Sequence, residues 1–506
     1  VKAGDFLSGM SGTIPTRAKS SSRGNLRVIQ QASNKQKKFD QFVKFDATTP
    51  QDFLVWRQQV ESFVIPMDQN LAGIWMMQLT ERYLEVGKME LAAAASAMLA
   101  TRWPNHSLAP AALTWLSQYY ASAEFGNVEL AKRFDSYSNP QSTINSAGAL
   151  EDIQKPVKPV TTMQITQQDG LSKVEWVATE KVETAPYGAV QRVGYTKDRS
   201  QMREEFFDQR LRMASHYLSR ISQRDPELMA SSQYRFLEAQ ITRRINGGLD
   251  TEGRFRNLTQ RNEFSGEGIS IGAKRELEIL GSVAGQEQVV AKRCLKTKQR
   301  PVLDGNLDEP TWRSIAQAGE LTRSRIQLFE SGIERPDVVM FAYDDEYLYG
   351  AVHCQKLNID YSRNTNQARP RDPDLTGRDR VEIVFDLDRD YRSTNRFVID
   401  HRGWVSESSA GSSSWNPNWY VSQSETESTW TVEFAMPLDE IMTGTIEAGE
   451  TWAIQLSRRA FDYRDLWKPV GQEVLQDSGF SAAMQASPRQ FELFRFEAPS
   501  QPSQSD

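Results

Sequence analysis

Near residue 290 the chain changes its period, and that change limits the possible folds more than any other feature. Upstream, apolar residues recur every three to four positions. Downstream they form short runs between turn signals: DVVMFAYDDEYLYGAVHC, DRVEIVFDLD, NRFVIDHRGWV, STWTVEFAMP, ETWAIQLSRRA and RQFELFRFE. Alternation with a period of two marks strands with an inner and an outer face. About 200 residues of it, with no helix-length pattern between, predict an antiparallel β-sandwich. Asp344-Asp345-Glu346, between Tyr343 and Tyr347, reads as a hairpin turn. At the head of the region stands PVLDGNLDEPTW, residues 301–312. Asp304-Gly305 is turn chemistry, Asp308 can cap a short helix, and Pro310 suits its first turn. Trp312 and Ile315 then form an apolar face, so Trp312 is expected to be a structural plug at one end of the sandwich.

The upstream half reads as helices. Phe53, Trp56, Val60 and Phe63–Val64 share one face, ended by Pro66. Ile74, Leu79, Tyr83 and Val86 mark a second helix stopped at Gly87. Residues 91–99 mark a third, stopped at Trp103-Pro104, and Ala111 to Phe125 a fourth with Gly126 after it. Met202, Phe206, Met213, Tyr217 and Ile221 define a long helix ending near Asp225-Pro226. Tyr234, Leu237, Ile241 and Ile245 define another, and a weaker one runs near 274–282. The expected fold class is multidomain α + β, an N-terminal α-helical hairpin array followed by the C-terminal sandwich. The expected division is a disordered basic tail at 1–45, helices at 46–134 and a linker or insertion at 135–196. A second helical region at 197–285, the sandwich at 290–498 and a disordered tail at 499–506 complete it. Leu79, Tyr83, Ala92 and Pro104 have spacings similar to a tetratricopeptide repeat, which implies a protein-docking surface; a plain helical bundle is the alternative. The Trp56, Trp75, Met76, Met77 stripe reads as core.

Composition removes several classes. A net charge of −6 argues against a nucleic-acid binder. No run of about 18 apolar residues is present, so no transmembrane segment is expected. Cys294 and Cys354 are too few for a disulfide framework and are read either as one bridge or as two buried thiols. The histidines His106, His216, His353 and His401 are scattered without ligand or triad spacing, and no nucleophile elbow, HExxH or phosphate loop occurs. The chain is read as non-catalytic.

The strand segments, in order, resemble a family 9 carbohydrate-binding module within the DOMON-like sandwiches. The resembling pieces are RPVLDGNLDEPTW, YDDEYLYGAV, GRDRVEIVFDLDRD, FVIDHRGWV, TWTVEFAMPLDEI and ETWAIQLSRRA, spanning about residues 297–497. The resemblance implies a carbohydrate ligand held between aromatic rings, and an extracytoplasmic protein whose signal peptide is not in this chain. It also implies a place beside a glycoside hydrolase in carbohydrate catabolism. A pyranose presents apolar C–H faces and a rim of hydroxyls, so a site needs ring platforms with polar neighbours. By location the candidates are Tyr361, Trp415, Trp419 and Trp467, all in polar, turn-rich stretches. Trp404 is a further ring with an open face. Asn416, Asn418, Arg363, Asn364 and Arg371 stand near enough in sequence to serve hydroxyls.

Asp386, Asp388 and Asp390 alternate in DLDRD. They form either a solvated acidic hairpin tip or support for a structural calcium, which the resemblance implies. An EF-hand is excluded, because Tyr391 stands where its Gly belongs and Phe397 where its Glu belongs. Two other readings compete with sugar binding. One is a scaffold whose sandwich has lost its ligand. The other is a DOMON-like haem domain, for which Met436 and His353 are the available ligands.

Overall fold

The structure is a computed structural model that describes residues 37–47, 50–138, 161–168, 171–178, 196–246, 251–260, 267–281, 291–317, 322–327, 334–357, 359, 361, 372–412, 415–442, 444–459 and 488–498. A helix α1 over 37–44 opens it, inside what sequence reads as the disordered basic tail. Its Phe42 is buried against Phe63 and Trp75, and its backbone oxygen accepts a hydrogen bond from Tyr83 Oη (2.9 Å), while Trp56 Nε1 donates to the same hydroxyl (2.7 Å). Then come α2 (Pro50–Val64), α3 (Gln69–Glu85), α4 (Met89–Arg102), α5 (Ala109–Ala121) and α6 (Ala123–Ser138). Asp68 caps α3 by accepting from Asn70 N and Leu71 N, and Gly87 ends the turn after it with φ 74°.

Gly126 does not end a helix as its sequence suggests. Ser122 starts a new one, its Oγ accepting from Phe125 N at 3.0 Å, and Gly126 lies inside α6. A Cβ there would stand 2.4 Å from the Phe207 ring, so this glycine serves close packing.

Beyond the inserted stretch lie α7 (Thr196–Arg224), α8 (Pro226–Ala230) and α9 (Ser232–Asn246). Tyr217, Leu218, Ile221, Tyr234 and Leu237 share one core with Trp56, Met76, Leu79, Leu99 and Leu116. Thr114 Oγ1 and Tyr234 Oη lie 2.7 Å apart across it. The described helices before and after the insertion therefore pack as one layer. Helices α10 (Glu252–Thr259) and α11 (Glu267–Ile279) follow. Residues 129–206 form a second compact unit that contains an antiparallel pair, β1 (Thr161–Gln168) with β2 (Leu171–Ala178).

From Lys292 to Glu497 the described strands form a large mixed sheet. Its strands are β3 (Lys292–Lys296), β4 (Thr322–Gln327), β5 (Glu334–Tyr343), β6 (Tyr347–Gln355), β7 (Arg380–Asp386) and β8 (Asn395–Asp400). They continue with β9 (Val405–Ser409), β10 (Tyr420–Glu425), β11 (Thr429–Pro437), β12 (Thr451–Arg459) and β13 (Glu492–Glu497). Two short helices, α12 (Pro310–Gln317) and α13 (Leu438–Met442), interrupt them. The order is β10-β11-β6-β5-β3-β13-β12-β7-β8-β9, with β4 on β5. Pairing is not purely antiparallel as expected: β3 runs parallel to both β13 and β5. The short KRCLK segment is joined to both partners through long stretches of chain, which permits parallel pairing where a tight hairpin would not.

The sheet curls on itself. Phe341 of β5 and Phe385 of β7 are four strand steps apart, about 19 Å on a flat sheet, yet their ring centroids lie 6.1 Å apart. The inner faces of the two halves thus share one core that includes Val352, Ile383, Phe397, Trp430, Phe434 and Trp452. Outside, α12 seats Trp312 against β5, β6 and β11. Trp312 is 1% exposed and its Nε1 donates to Glu433 Oε1 at 2.7 Å, which makes it the plug that the sequence suggests. On the other outer face, Phe236, Phe255, Ile269 and Leu277 of α9–α11 pack on Val384, Ala453 and Leu493.

Candidate functional site: an aromatic rim and a buried acidic loop

Strand parity decides which rings look inward. Val432, Phe434 and Met436 of β11 belong to the inner core, and the register Val421↔Phe434 and Gln423↔Val432 turns Val421 and Gln423 the same way. Asn395, Phe397 and Ile399 of β8 share the inner face with their partners Ser409, Glu407 and Val405 of β9. Strands β9 and β10 are the two ends of the strand path and do not pair with each other. The connection between them carries Trp415 and Trp419, both half-buried. Their rings meet the same Phe397 edge-on, with centroids 5.4 and 5.2 Å away, and Trp419 also meets Phe434 at 6.0 Å. Asn416 and Asn418 beside them are exposed, and Asn418 Nδ2 donates to Glu440 Oε1 at 2.8 Å. The structure therefore brings two of the four sequence candidates together.

Tyr361 lies elsewhere, at the opposite end of β8. It is half-buried beside His401, with ring centroids 4.9 Å apart. Its hydroxyl donates to Asp379 Oδ2 (2.6 Å) and accepts from Leu357 N (2.9 Å). Burial, then the Asp379 charge, raise that phenol above its usual range. Asp379 also accepts from Trp430 Nε1 and twice from Arg458, whose Nη1 donates to Asp337 at 2.7 Å. This is a closed structural network.

Trp467, Arg363, Asn364 and Arg371 lie outside the described residues. Trp404 does not keep its face open, because the Arg402 guanidinium stands 3.8 Å from its ring centroid. Sequence reasoning missed Tyr420, which is 55% exposed and 6.3 Å from Tyr347 on the outer face. The signal was available: in NWYV, strand alternation sends Trp419 in and Tyr420 out.

The acidic run is not a solvated tip. Asp386, Asp388 and Asp390 are 0, 7 and 6% exposed. Arg389 and Tyr391 adopt φ of 59° and 56°, a turn that folds the alternate carboxylates inward. They meet the N-terminus of α6, where Ala123 N donates to Asp388 Oδ2 (2.8 Å) and Leu387 N donates to Glu124 Oε1 (2.7 Å). Ser393 Oγ lies 2.9 Å from Glu124 Oε2 and 3.1 Å from Asp390 Oδ2, with one proton to share between them, and Arg244 pairs with Asp388 at 2.7 Å. Burial, then mutual repulsion, push the Glu124 and Asp386 carboxyls well up, and Asp390 to about 6.

One oxygen each from Glu124, Asp386 and Asp388 lie within 4.8 Å of one another. A calcium ion with oxygens at about 2.3–2.6 Å spans such a set, so these residues fit a structural calcium. Glu124, from the helical layer, was not foreseen, because nothing local in the sequence ties it to a loop so distant.

The haem pairing does not assemble. Met436 is in the inner core, whereas His353 turns outward and its Nδ1 lies 2.8 Å from Thr431 Oγ1. Cys294 and Cys354 are free and buried, so no bridge forms, and burial raises both thiols.

No family model matches the chain, and no curated protein matches it. Among solved structures it is similar to a family 9 carbohydrate-binding module from Caldicellulosiruptor kristjanssonii in complex with glucose. That match has 14% identity and a TM-score of 0.29, covering 42% of this chain and 100% of the module. The cellotriose complex of such a module from the same organism matches at 15% identity and TM-score 0.29, covering 42% and 98%. At these values the likeness does not decide a ligand for this chain.

Proposed function

We propose that the C-terminal sheet is a non-catalytic carbohydrate-binding element and that the helical layer is a docking or assembly scaffold. The observation that carries the sugar reading is the pair Trp415 and Trp419. Two half-buried indoles meet at one ring, Phe397, from the connection between β9 and β10, the two ends of the strand path, with exposed asparagines beside them. This is the mixture of apolar face and hydroxyl partner that a pyranose requires. The buried carboxylates support a structural role instead of a hydrolytic one, because Glu124 and Asp386 are 0% exposed and no glycosidic bond reaches them. In this reading Glu124, Asp386 and Asp388 hold a calcium ion that pins the loop to α6.

The scaffold alternative draws support from Tyr361, whose hydroxyl is wholly engaged in the core network. Tryptophan emission followed during titration with glucose, cellobiose and xylan separates the two. A saturable shift that disappears in Trp415→Ala and Trp419→Ala supports sugar binding. No shift with any of these, in a protein that captures partners through residues 46–285, sinks it.

A further inference from the structure

We propose that Asn395, Ser409 and Trp419 form a hydroxyl-reading floor beneath the indoles, along the seam between β9 and β10. The inference rests on the sugar reading above and names how that site holds its ligand. Asn395 and Ser409 are register partners on the inner face of the β8–β9 pair, 1 and 4% exposed. Among the described residues, Asn395 Oδ1, Ser409 Oγ and Trp419 Nε1 are buried polar atoms without a hydrogen-bond partner. Asn395 and Phe397 are neighbours on one strand face, and the Trp419 ring meets Phe397, so the three residues border one stretch of the inner face. Other such atoms are scattered over the molecule; three on residues that share one inner face point to an occupant.

The chemistry of the three atoms selects that occupant. Asn395 Oδ1 accepts only, Trp419 Nε1 donates only, and Ser409 Oγ does both. An anion would have no proton for the amide oxygen and would face Glu407, the β9 residue paired with Phe397. A metal cation would meet the indole N–H. Neutral hydroxyls donate and accept, so adjacent hydroxyls of a sugar satisfy all three while its C–H face lies under an indole. The seam is closed at one end, where a methyl on Gly403 would stand 3.1 Å from Gln423 Cβ. The ligand therefore enters from the end where Trp415 lies, edge first.

The test is calorimetric titration of the full chain with glucose, cellobiose and xylobiose, using Asn395→Ala, Ser409→Ala and Trp419→Phe. The last keeps an aromatic ring while removing the N–H donor and part of the indole face, and the two alanine variants remove polar groups without touching a ring. Each loss is expected to weaken the best-bound sugar roughly three- to tenfold. Ser406→Ala, on the outer face of β9, is expected to bind as the parent does. If the parent binds and all three variants stay within twofold of it, the three polar atoms do not read the sugar and the proposal is overturned while the indole reading survives. If the parent binds none of the sugars, both fall. Ser409→Ala and Trp419→Phe are small enough to keep the test decisive should Asn395→Ala unfold.

Discussion

Replacing Arg458 with methionine tests the account of the sheet interior most directly. Its side chain is 0% exposed, as are those of Asp337 and Asp379 beside it. Its Nε and Nη2 donate to the two oxygens of Asp379 at 2.9 and 2.6 Å, its Nη1 to Asp337 Oδ2 at 2.7 Å, and its Nη2 to the Gln355 carbonyl at 2.6 Å. One guanidinium thus ties together β5, β6, β12 and the entry to β7, with Trp430 5.6 Å from its carbon. Methionine fills much of the volume but takes the Arg458 cation away from two buried carboxylates. Among the described residues, the Asp379 side chain keeps the donors Tyr361 Oη and Trp430 Nε1. Removing one partner from such a set costs about 3–5 kcal/mol. With a urea slope of about 3 kcal/mol/M, the unfolding midpoint should fall by about 1–1.7 M. The triple variant that also carries Asp337→Asn and Asp379→Asn should recover much of the loss, since the penalty comes from uncompensated charge and not from lost packing. A midpoint shift below about 0.3 M for the single variant would refute the reasoning.

Stripping divalent ions with EDTA should lower the thermal midpoint, and calcium at a hundredfold excess over its dissociation constant should return about 2.7 kcal/mol of stability; Glu124→Gln should abolish that response in scanning calorimetry. Gly350→Ala should destabilise by at least about 1–3 kcal/mol in urea unfolding, because the new methyl would stand 1.9 Å from the Phe434 ring. Trp312→Ala should cost about 3–5 kcal/mol by the same assay, through an emptied site and the Glu433 acceptor left without its indole donor. Burial raises the Glu433 carboxyl, so the folded state holds that proton more tightly than the unfolded chain. This contribution is complete below about pH 4.3 and is lost as pH rises through the folded value, and Glu433→Gln should flatten that slope in midpoints measured against pH.

The helices from Pro50 to Arg102 were legible because each signal is local: apolar spacing, the Asp68 cap and the Gly87 stop. Tertiary facts were not. Gly126 carries the signature of a helix stop, and only Phe207, far along the chain, gives it another use. The parallel placement of KRCLK depends on residues 492–497, nearly the other end of the sheet in sequence. DLDRD has the composition of a solvated tip because the group that buries it, Glu124, stands 263 residues from its partner Leu387. For the rim, the tryptophans were named from composition and turn signals, whereas Asn395 and Ser409 are ordinary strand residues. Their significance comes only from their shared inner face and their missing partners.

The same long-range contacts govern how the sugar reading has to be tried. Val384, Ala453 and Leu493 on the outer sheet face are covered by Phe236, Phe255, Ile269 and Leu277 from the helices. Arg389 pairs with Glu276 at 2.9 Å, and Gln240 Nε2 donates to the Arg389 carbonyl at 2.6 Å. Arg243 also reaches Glu276, at 2.5 Å. A chain cut at residue 290 would uncover that apolar face and remove Glu124, Arg243, Arg244 and Glu276 from around the acidic loop. Asp386, Asp388 and Asp390 would then lose their cationic and helix-terminal partners just before β8, the strand that carries Asn395. The sheet resembles a detachable module in sequence, but its packing makes the helical layer part of the same folded body, so a truncated sheet that fails to bind sugar would report on that lost support before it reported on the rim.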